Sequence, residues 1–435
     1  MKSTRTDASR IPSRQRLYEN PLWLLLILSA INVFNTLDRH LIAILLPSIK
    51  DDLQISDSQI GLMTGPAFAV FYAVLALPLG ILAERVNRSS MVAVAISVWS
   101  FMTVVSGLAT SFLHLVVARV GVAMGEAGGS PPSYGMISDA FAQKWRPTAM
   151  AVFTAAASLG GALALFGGGW MSETWGWRSA FLVAGASSFA FAPIIFFFVK
   201  DPQRGFSDHA TQTNAIPVRE AFRLLRANRT FRQLAIAGTL SAFCVYALTI
   251  WLPSFLARSY GLGPAAAGGY LGAITLVGAL GGTFAGGELA RLAGTRSVVW
   301  WSVVPALGFL VGAPILLLGI FADNLPTTLT CLMVGTFLVH LFPGPLFAIV
   351  TSIVPAGMRS VASSTLLFSQ IAFGLGLGPL LTGSISDLSA EKFGAEGLRY
   401  ALVAPLVIGA WSGLHYLLSG RTLRDDTAAA LNHSP

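Results

Sequence analysis

Charge is what this chain has least of. Aspartate, glutamate, lysine and arginine make up 11% of its 435 residues, against 54% that are hydrophobic. Soluble domains carry about a quarter charged residues, so a water-soluble fold is excluded. Cysteine is almost missing. Cys244 and Cys331 both fall inside apolar stretches, far from any metal-ligand spacing, which leaves no disulfide framework and no thiolate metal site. No paired nucleophile and base, metal cluster or nucleotide loop occurs at a convincing spacing, and no polar stretch is long enough for a sizeable soluble domain. An enzyme is therefore not expected, and neither is a catalytic residue, a bound metal or a cofactor. The first residues are polar and basic, without the short apolar core and small-residue cleavage site of a leader, so the first apolar stretch is expected to be a retained span.

Long apolar runs are what the chain has instead. They recur at lengths that suit helices crossing a hydrocarbon core, roughly 20 residues each, with short polar or Gly/Pro-marked turns between them. Twelve are found, here called spans 1 to 12: 22–49, 60–82, 91–110, 112–141, 150–171 and 180–199, then 234–257, 265–290, 298–321, 327–354, 361–388 and 398–418. The expected fold is an all-α membrane protein.

The formal net charge is +8, yet the basic residues form no single patch. Lys2, Arg5, Arg10, Arg14, Arg16, Arg85, Arg88, Lys144, Arg146, the stretch 200–232, Arg291, Arg296, Arg359, Arg421 and Arg424 share one side of a twelve-span layout. Lys50, Arg178, Arg258, Lys392 and Arg399 fall on the other. This bias puts both termini in the cytoplasm of a multi-pass protein of the plasma (inner) membrane, and it gives no support for a nucleic-acid partner.

The polar interruption 200–232 divides the spans into two sets of six. The expected organisation is a cytoplasmic tail (1–20), a first bundle (21–199), a linker (200–232), a second bundle (233–419) and a short cytoplasmic tail (420–435). Residues 216–231 of the linker, IPVREAFRLLRANRTF, set Val218, Phe222 and Leu225 on one helical face and Arg219, Arg223, Arg226 and Arg229 mostly on another, as in a helix lying on an anionic leaflet. The halves are weakly alike: GILAER (80–85) matches GGELAR (286–291) in its first Gly and last Arg, and GWMSE (169–173) matches GSISD (383–387), each at equivalent helix ends. A duplicated transporter is expected to show this.

Asp38, Arg39, Arg119 and Glu126 lie inside spans 1 and 4, where each costs several kcal/mol unless paired or hydrated, so they are the first candidates for function. At 1.5 Å per residue Asp38 sits roughly 15 Å below the outer surface, Arg119 about 10 Å and Glu126 about 21 Å. Arg119 and Glu126 are seven apart and share a helix face, so contacts of Asp38 with Arg119 and of Arg39 with Glu126 are expected. Glu126, the deepest, is the first choice for a proton carrier and Asp38 the second. Arg119 and Arg39 would hold an anionic group freed to them when a carboxylate takes a proton, and linkage makes that coupling act both ways. The competing reading is a permanently paired network that only fixes spans 1 and 4 together.

Gly80, Glu84, Arg85 and Arg88 in GILAERVNR give a close turn followed by an acid and two bases, able to form ion pairs that break as the halves separate. This loop resembles the one between spans 2 and 3 of the major facilitator superfamily. RVGVAMGEA (119–127) and WGWRSAF (175–181) resemble that superfamily's fourth span and its entry to span 6. NTLDRHLIAILLP in span 1 and GEAGGSPPSYGMISDAF in span 4 are similar to the spinster family of lipid transporters, while the doubled Pro131 and Pro132 depart from its pattern and are expected to kink the span. The resemblance implies two pseudo-symmetric six-helix bundles around a central cavity, a monomer, and a lysophospholipid or sphingoid cargo moved with protons. Asn35, Tyr134, Tyr246, Tyr270 and Gln370 join the two arginines as candidate cargo contacts, and His340 reads as a structural histidine. The Gly- and Pro-broken stretches 342–345 and 374–379 are expected to bend or pack tightly as the cavity changes side. Two rivals stay open: a proton symporter for small organic anions such as sugar acids, with a tight cavity lined by polar groups from both halves, and a non-transporting receptor.

Overall fold

The computed structural model describes residues 20–83, 85–141, 145–202, 218–355 and 358–432 of the chain. Span 1 is a helix over Pro21–Leu53. Asn20 caps it by accepting a hydrogen bond from the Leu22 amide, Pro21 occupies a first-turn position that needs no N–H, and Gln54 ends it in the left-handed conformation at φ 51°. The helix outlasts the expected 22–49 because Lys50, Asp51 and Asp52 continue it into the polar region.

Several spans are broken. Span 2 consists of helices Asp57–Thr64 and Pro66–Ala83, joined at Gly65, with Ser56 and Gln59 forming a reciprocal capping box at its start. Span 4 stops at Ala127 and restarts as Ser130–Ala140. Pro131 and Pro132 therefore begin a helix, where a missing N–H costs nothing, and the expected mid-helix kink is a break at Gly128 and Gly129 instead. Spans 8 and 11 each contain a stretch of π-helix, Ile274–Leu280 and Gln370–Leu375. Eleven helical stretches are long and apolar enough to cross a bilayer, and the last, Val361–Gly420, is 60 residues long. It holds two crossings, because the chain turns at Gly394 (φ 57°), which gives twelve spans. An even number puts residue 20 and residue 432 at the same end of the molecule, called here the near end.

Spans 1, 3, 4, 5 and 6 pack closely with one another, as do spans 7, 9, 10 and 12. Between the halves the main contacts are span 2 on span 11, span 5 on span 8 and span 1 on span 7. They are intimate towards the far end. A Cβ at Gly268 would lie 2.1 Å from the Leu165 carbonyl oxygen, and one at Gly61 would lie 2.6 Å from that of Pro379, so only glycine permits these backbones to touch. A single buried cluster that includes Leu45, Leu165, Leu248 and Leu271 runs across this seam. In the linker, helix Val218–Ala227 buries Leu225 and exposes Arg219 and Arg223. It ends before the expected 231: Asn228 caps the next helix, so Arg229 belongs to span 7.

Candidate functional site

Spans 1, 3 and 4 bring the four membrane-embedded charges together. Glycines make this possible: Gly121 of span 4 rests on Met102, and Gly125 lies against the backbone of Trp99, so span 4 approaches span 3 until Arg119 and Glu126 are enclosed. Arg39 donates through Nε to Glu126 Oε2 at 2.7 Å and pairs through Nη2 with the same oxygen at 2.6 Å. The expected contact of these two residues is present. Its partner contact takes another form: Asp38 accepts a short hydrogen bond from the Thr103 hydroxyl, and among the described residues it makes no ion pair with Arg119.

The result is a set of charges with open positions. Arg119 is 2% exposed, yet its Nε and Nη1 have no hydrogen-bond partner. Asp38 Oδ1 and Glu126 Oε1 are likewise buried and unpartnered. Arg119 lies 5.4 Å from the centre of the Phe68 ring, and Arg39 lies 5.1 Å from that of Tyr72, so aromatic faces supply part of the missing compensation. The sequence gives no sign of Thr103, since a lone threonine in a span ordinarily donates to its own helix, and here too the Trp99 carbonyl lies 2.9 Å from the hydroxyl that Asp38 engages.

The other expected cargo contacts are scattered. Asn35 is buried one turn before Arg39 and accepts from it at 3.5 Å. Tyr246 is partly buried against a second core cluster, as are Tyr72 and Ile371. Gln370 is buried at the start of the π-stretch of span 11, with Nε2 unpartnered. Tyr134 is exposed and set edge-on against Phe153. Tyr270 is also exposed and is absent from the chamber lining described below, to which its neighbour Leu271 belongs.

The loop after span 2 behaves differently from the expected lock between halves. Arg88 is buried and donates to Asp139 at 2.6 Å, to Asp201 at 2.7 Å and to the Pro202 carbonyl at 2.7 Å, so it clamps spans 3, 4 and 6 of its own half. Gly80 is close only to Pro131 of the same half, Arg85 is exposed, and Glu84 lies outside the described residues. The contacts are intra-bundle because, in this state, the halves meet at the other end.

That end carries the polar lock. Asp57, at the start of span 2, accepts two hydrogen bonds of 2.6 Å from Arg258 of span 7, one of 2.6 Å from Ser386 of span 11, and one of 2.5 Å from Lys50. Asp387 caps the helix beginning at Asp57, accepting from the amides of Asp57 and Ser58 at 3.0 and 2.7 Å. Glu173 does the same for span 8, accepting from the Ala265 amide at 2.9 Å. Glu173 and Asp387 are the acidic ends of the matched GWMSE and GSISD segments, so each half caps a helix of the other with the same residue of the repeat. Every side-chain hydrogen bond and ion pair between described residues of the two halves lies at this far end. The matched segments were the signal for it, read from sequence as a mark of duplication alone.

Beneath the lock a chamber of about 80 Å³ lies between the halves. His40 and Leu165 line it from spans 1 and 5, and Thr249, Thr275 and His340 from spans 7, 8 and 10.

Comparison with known proteins follows the same lines. Residues 28–379 match the model of the Major Facilitator Superfamily. The chain is 31% identical to an MFS-type efflux pump of Mycolicibacterium smegmatis, over 92% of each protein. It is 28% identical to protein spinster homolog 1 of Xenopus tropicalis, over 95% of this chain and 83% of that one. It is also 28% identical to the sphingosine-1-phosphate transporter SPNS2 of Danio rerio, over 92% and 84%. Among solved structures it resembles a bacterial homolog of the human lysosomal transporter spinster, described as inward-facing and unoccupied, with a TM-score of 0.85 and 30% identity over 93% of this chain and 98% of that one.

Proposed function

The chain belongs to the major facilitator superfamily and is a spinster-type transporter in a membrane, and on that premise we propose that it moves an amphiphilic anion by alternating access, driven by protons. The observation that carries this reading is Arg119, a buried guanidinium whose Nε and Nη1 have no partner, beside carboxylates that each keep one oxygen free. A network kept only for packing is stable when its charges are fully satisfied, because an uncompensated buried charge costs several kcal/mol. Open donor positions on a buried cation suit an anionic group that comes and goes.

In this scheme Glu126 is the proton carrier. Its protonation weakens the hold on Arg39, so that Arg39 and Arg119 together receive the anion, and the bound anion favours the proton in return. Asp38, held by Thr103, is the second carrier. The relatives support a lipid-like cargo: one is named for sphingosine-1-phosphate. The basic loops support cytoplasmic termini in the plasma membrane, with the near end facing the cytoplasm. Gly80, Glu84, Arg85 and Arg88 would then gate the near end when it closes. The domain limits proposed are those of the sequence, with residues 200–232 as the linker.

One observation favours a second reading, a proton symporter for small organic anions. The chamber is about 80 Å³, with His40 of the first half and Thr249, Thr275, Thr336 and His340 of the second set in a mainly apolar lining, room for a small acid and not for an alkyl tail.

The test is uptake into proteoliposomes under an imposed proton gradient, with a lysophospholipid, a sphingoid phosphate and a sugar acid as cargoes. Saturable, gradient-driven flux of the lipids supports the first reading, and flux of the sugar acid alone replaces it with the second. Binding without flux of any cargo would sink both. Glu126→Gln should abolish the gradient dependence, and Arg119→Ala should weaken anionic cargoes more than neutral ones. An unchanged gradient dependence removes Glu126 as carrier, and equal losses make Arg119 structural.

A further inference from the structure

His40 follows the Asp38–Arg39 pair directly, and one residue along a helix turns a side chain by about 100°. Arg39 therefore serves the site among spans 1, 3 and 4, whereas His40 looks the other way, into the chamber between the halves. Its ring is seated against Gly161 of span 5, where a Cβ would lie 3.3 Å from Nδ1. That Nδ1 is buried and has no hydrogen-bond partner. Across the chamber, His340 is held by a 2.8 Å contact of its Nδ1 with the Thr336 carbonyl. A carbonyl only accepts, so Nδ1 carries the hydrogen and the neutral ring leaves Nε2 as an acceptor.

Thr249, Thr275 and Thr336 complete the polar lining. The Thr249 and Thr275 hydroxyls donate to the Val245 and Leu271 carbonyls at 2.9 Å, leaving their lone pairs to the chamber. Spans 5, 7, 8 and 10 place no charged residue in the lining, and span 1 contributes only His40 itself, next to Arg39 and Asp38. Neutral imidazoles suit this lining. Two imidazoliums would face each other and Arg39 with no carboxylate in the lining between them.

We propose that His40 and His340, one from each half, form a second proton-binding site of this transporter, separate from Glu126 and Asp38, and that its protonation opens the far end. Opening separates the span 1 histidine from the span 10 histidine and lets water reach both, so the open state binds protons that the closed state resists. The chamber, with space for several waters, supplies the path between the rings. Linkage sets the size of the effect: one proton taken up on opening raises the open-to-closed ratio about 10-fold per pH unit, and two raise it up to about 100-fold. Histidine places this response between roughly pH 5 and 8. The proposal rests on the transporter reading but not on any cargo.

The experiment is a distance measurement by double electron–electron resonance on the full chain in lipid nanodiscs, without cargo. Labels at Asp51→Cys and Glu391→Cys flank the far end, in a background carrying Cys244→Ala and Cys331→Ala. Acidification from pH 8 to 5 should populate a longer distance. His40→Gln and His340→Gln should each lower the steepness of that response, and the double variant should abolish it. Glu126→Gln should retain it. A response that persists in the double histidine variant, or disappears in Glu126→Gln alone, overturns the assignment. The single variants keep the question answerable if the double one does not fold, since unchanged steepness in both also refutes the pair. Failure of cargo uptake bears only on the earlier proposal, because no cargo is present here.

Discussion

Removing the negative charge at Asp57 should tip the transporter towards opening at the far end. The side chain is 3% exposed and joins spans 2, 7 and 11 through Arg258 and Ser386, while Lys50 belongs to its own half and does not part from it on opening. The relevant loss in Asp57→Asn is therefore the bidentate pair with Arg258. Hydrogen bonds to charged groups contribute about 1.5 to 3 kcal/mol net, and breaking a buried pair costs about 3 to 5 kcal/mol. The Arg258 side chain keeps a fifth of its surface in solvent, and its charge is hydrated further once the halves part, so the lower end applies. About 2 kcal/mol shifts the closed-to-open ratio about 30-fold. The labelled pair at positions 51 and 391 reads this directly at fixed pH. Arg258→Gln should give a shift of similar size, and the two together should give little more than either alone, because both delete one interaction. A shift below about threefold in Asp57→Asn, or full additivity in the double variant, would refute the lock.

Other substitutions probe the same architecture. Glu173→Ala and Asp387→Ala each remove a cap made across the seam and should each cost the closed state about 0.5 to 2 kcal/mol; their effects on the labelled distance should add, since the caps share no partner, and non-additivity would argue against independent caps. Gly268→Ala puts a methyl 2.1 Å from the Leu165 carbonyl, so it should hold the far end open and stop turnover while the protein still elutes as a single folded species; normal transport would show that the contact is not obligatory. Arg88→Gln should lower the thermal midpoint in detergent, since it leaves Asp139 and Asp201 without their shared guanidinium, with an expected loss of about 3 kcal/mol; an unchanged midpoint would show the clamp to be dispensable.

The spans were legible because bilayer thickness fixes the length of an apolar run, and the pairing of Arg39 with Glu126 followed from depth and helical spacing on two spans. The same arithmetic failed for Asp38. Depth says which residues are level, but it does not report that Thr103 of span 3 stands nearer than Arg119. The far-end lock is hidden for a related reason: a carboxylate at a helix end looks the same in sequence whether it caps its own helix or one from the other half, so Glu173 and Asp387 read as marks of duplication alone. His40 is masked in the sequence by the charged pair before it, because adjacent residues on a helix face different compartments. The kink assigned to Pro131 and Pro132 became a restart because two glycines before them had already ended the helix.

The two π-helical stretches carry a consequence for how the machine moves. Each winds its backbone more loosely than the helix around it, an arrangement that slips to ordinary winding by advancing one residue. Both lie in the second half, in spans 8 and 11, the members of that half pressed against spans 5 and 2. Their counterparts across the seam have no such slack among the described residues, and span 2 has only its break at Gly65. In the proposed alternating access the rocking should accordingly be lopsided: the later half would rewind and rotate its contact surfaces, while the earlier half, carrying the buried charges, would adjust at the breaks of spans 2 and 4.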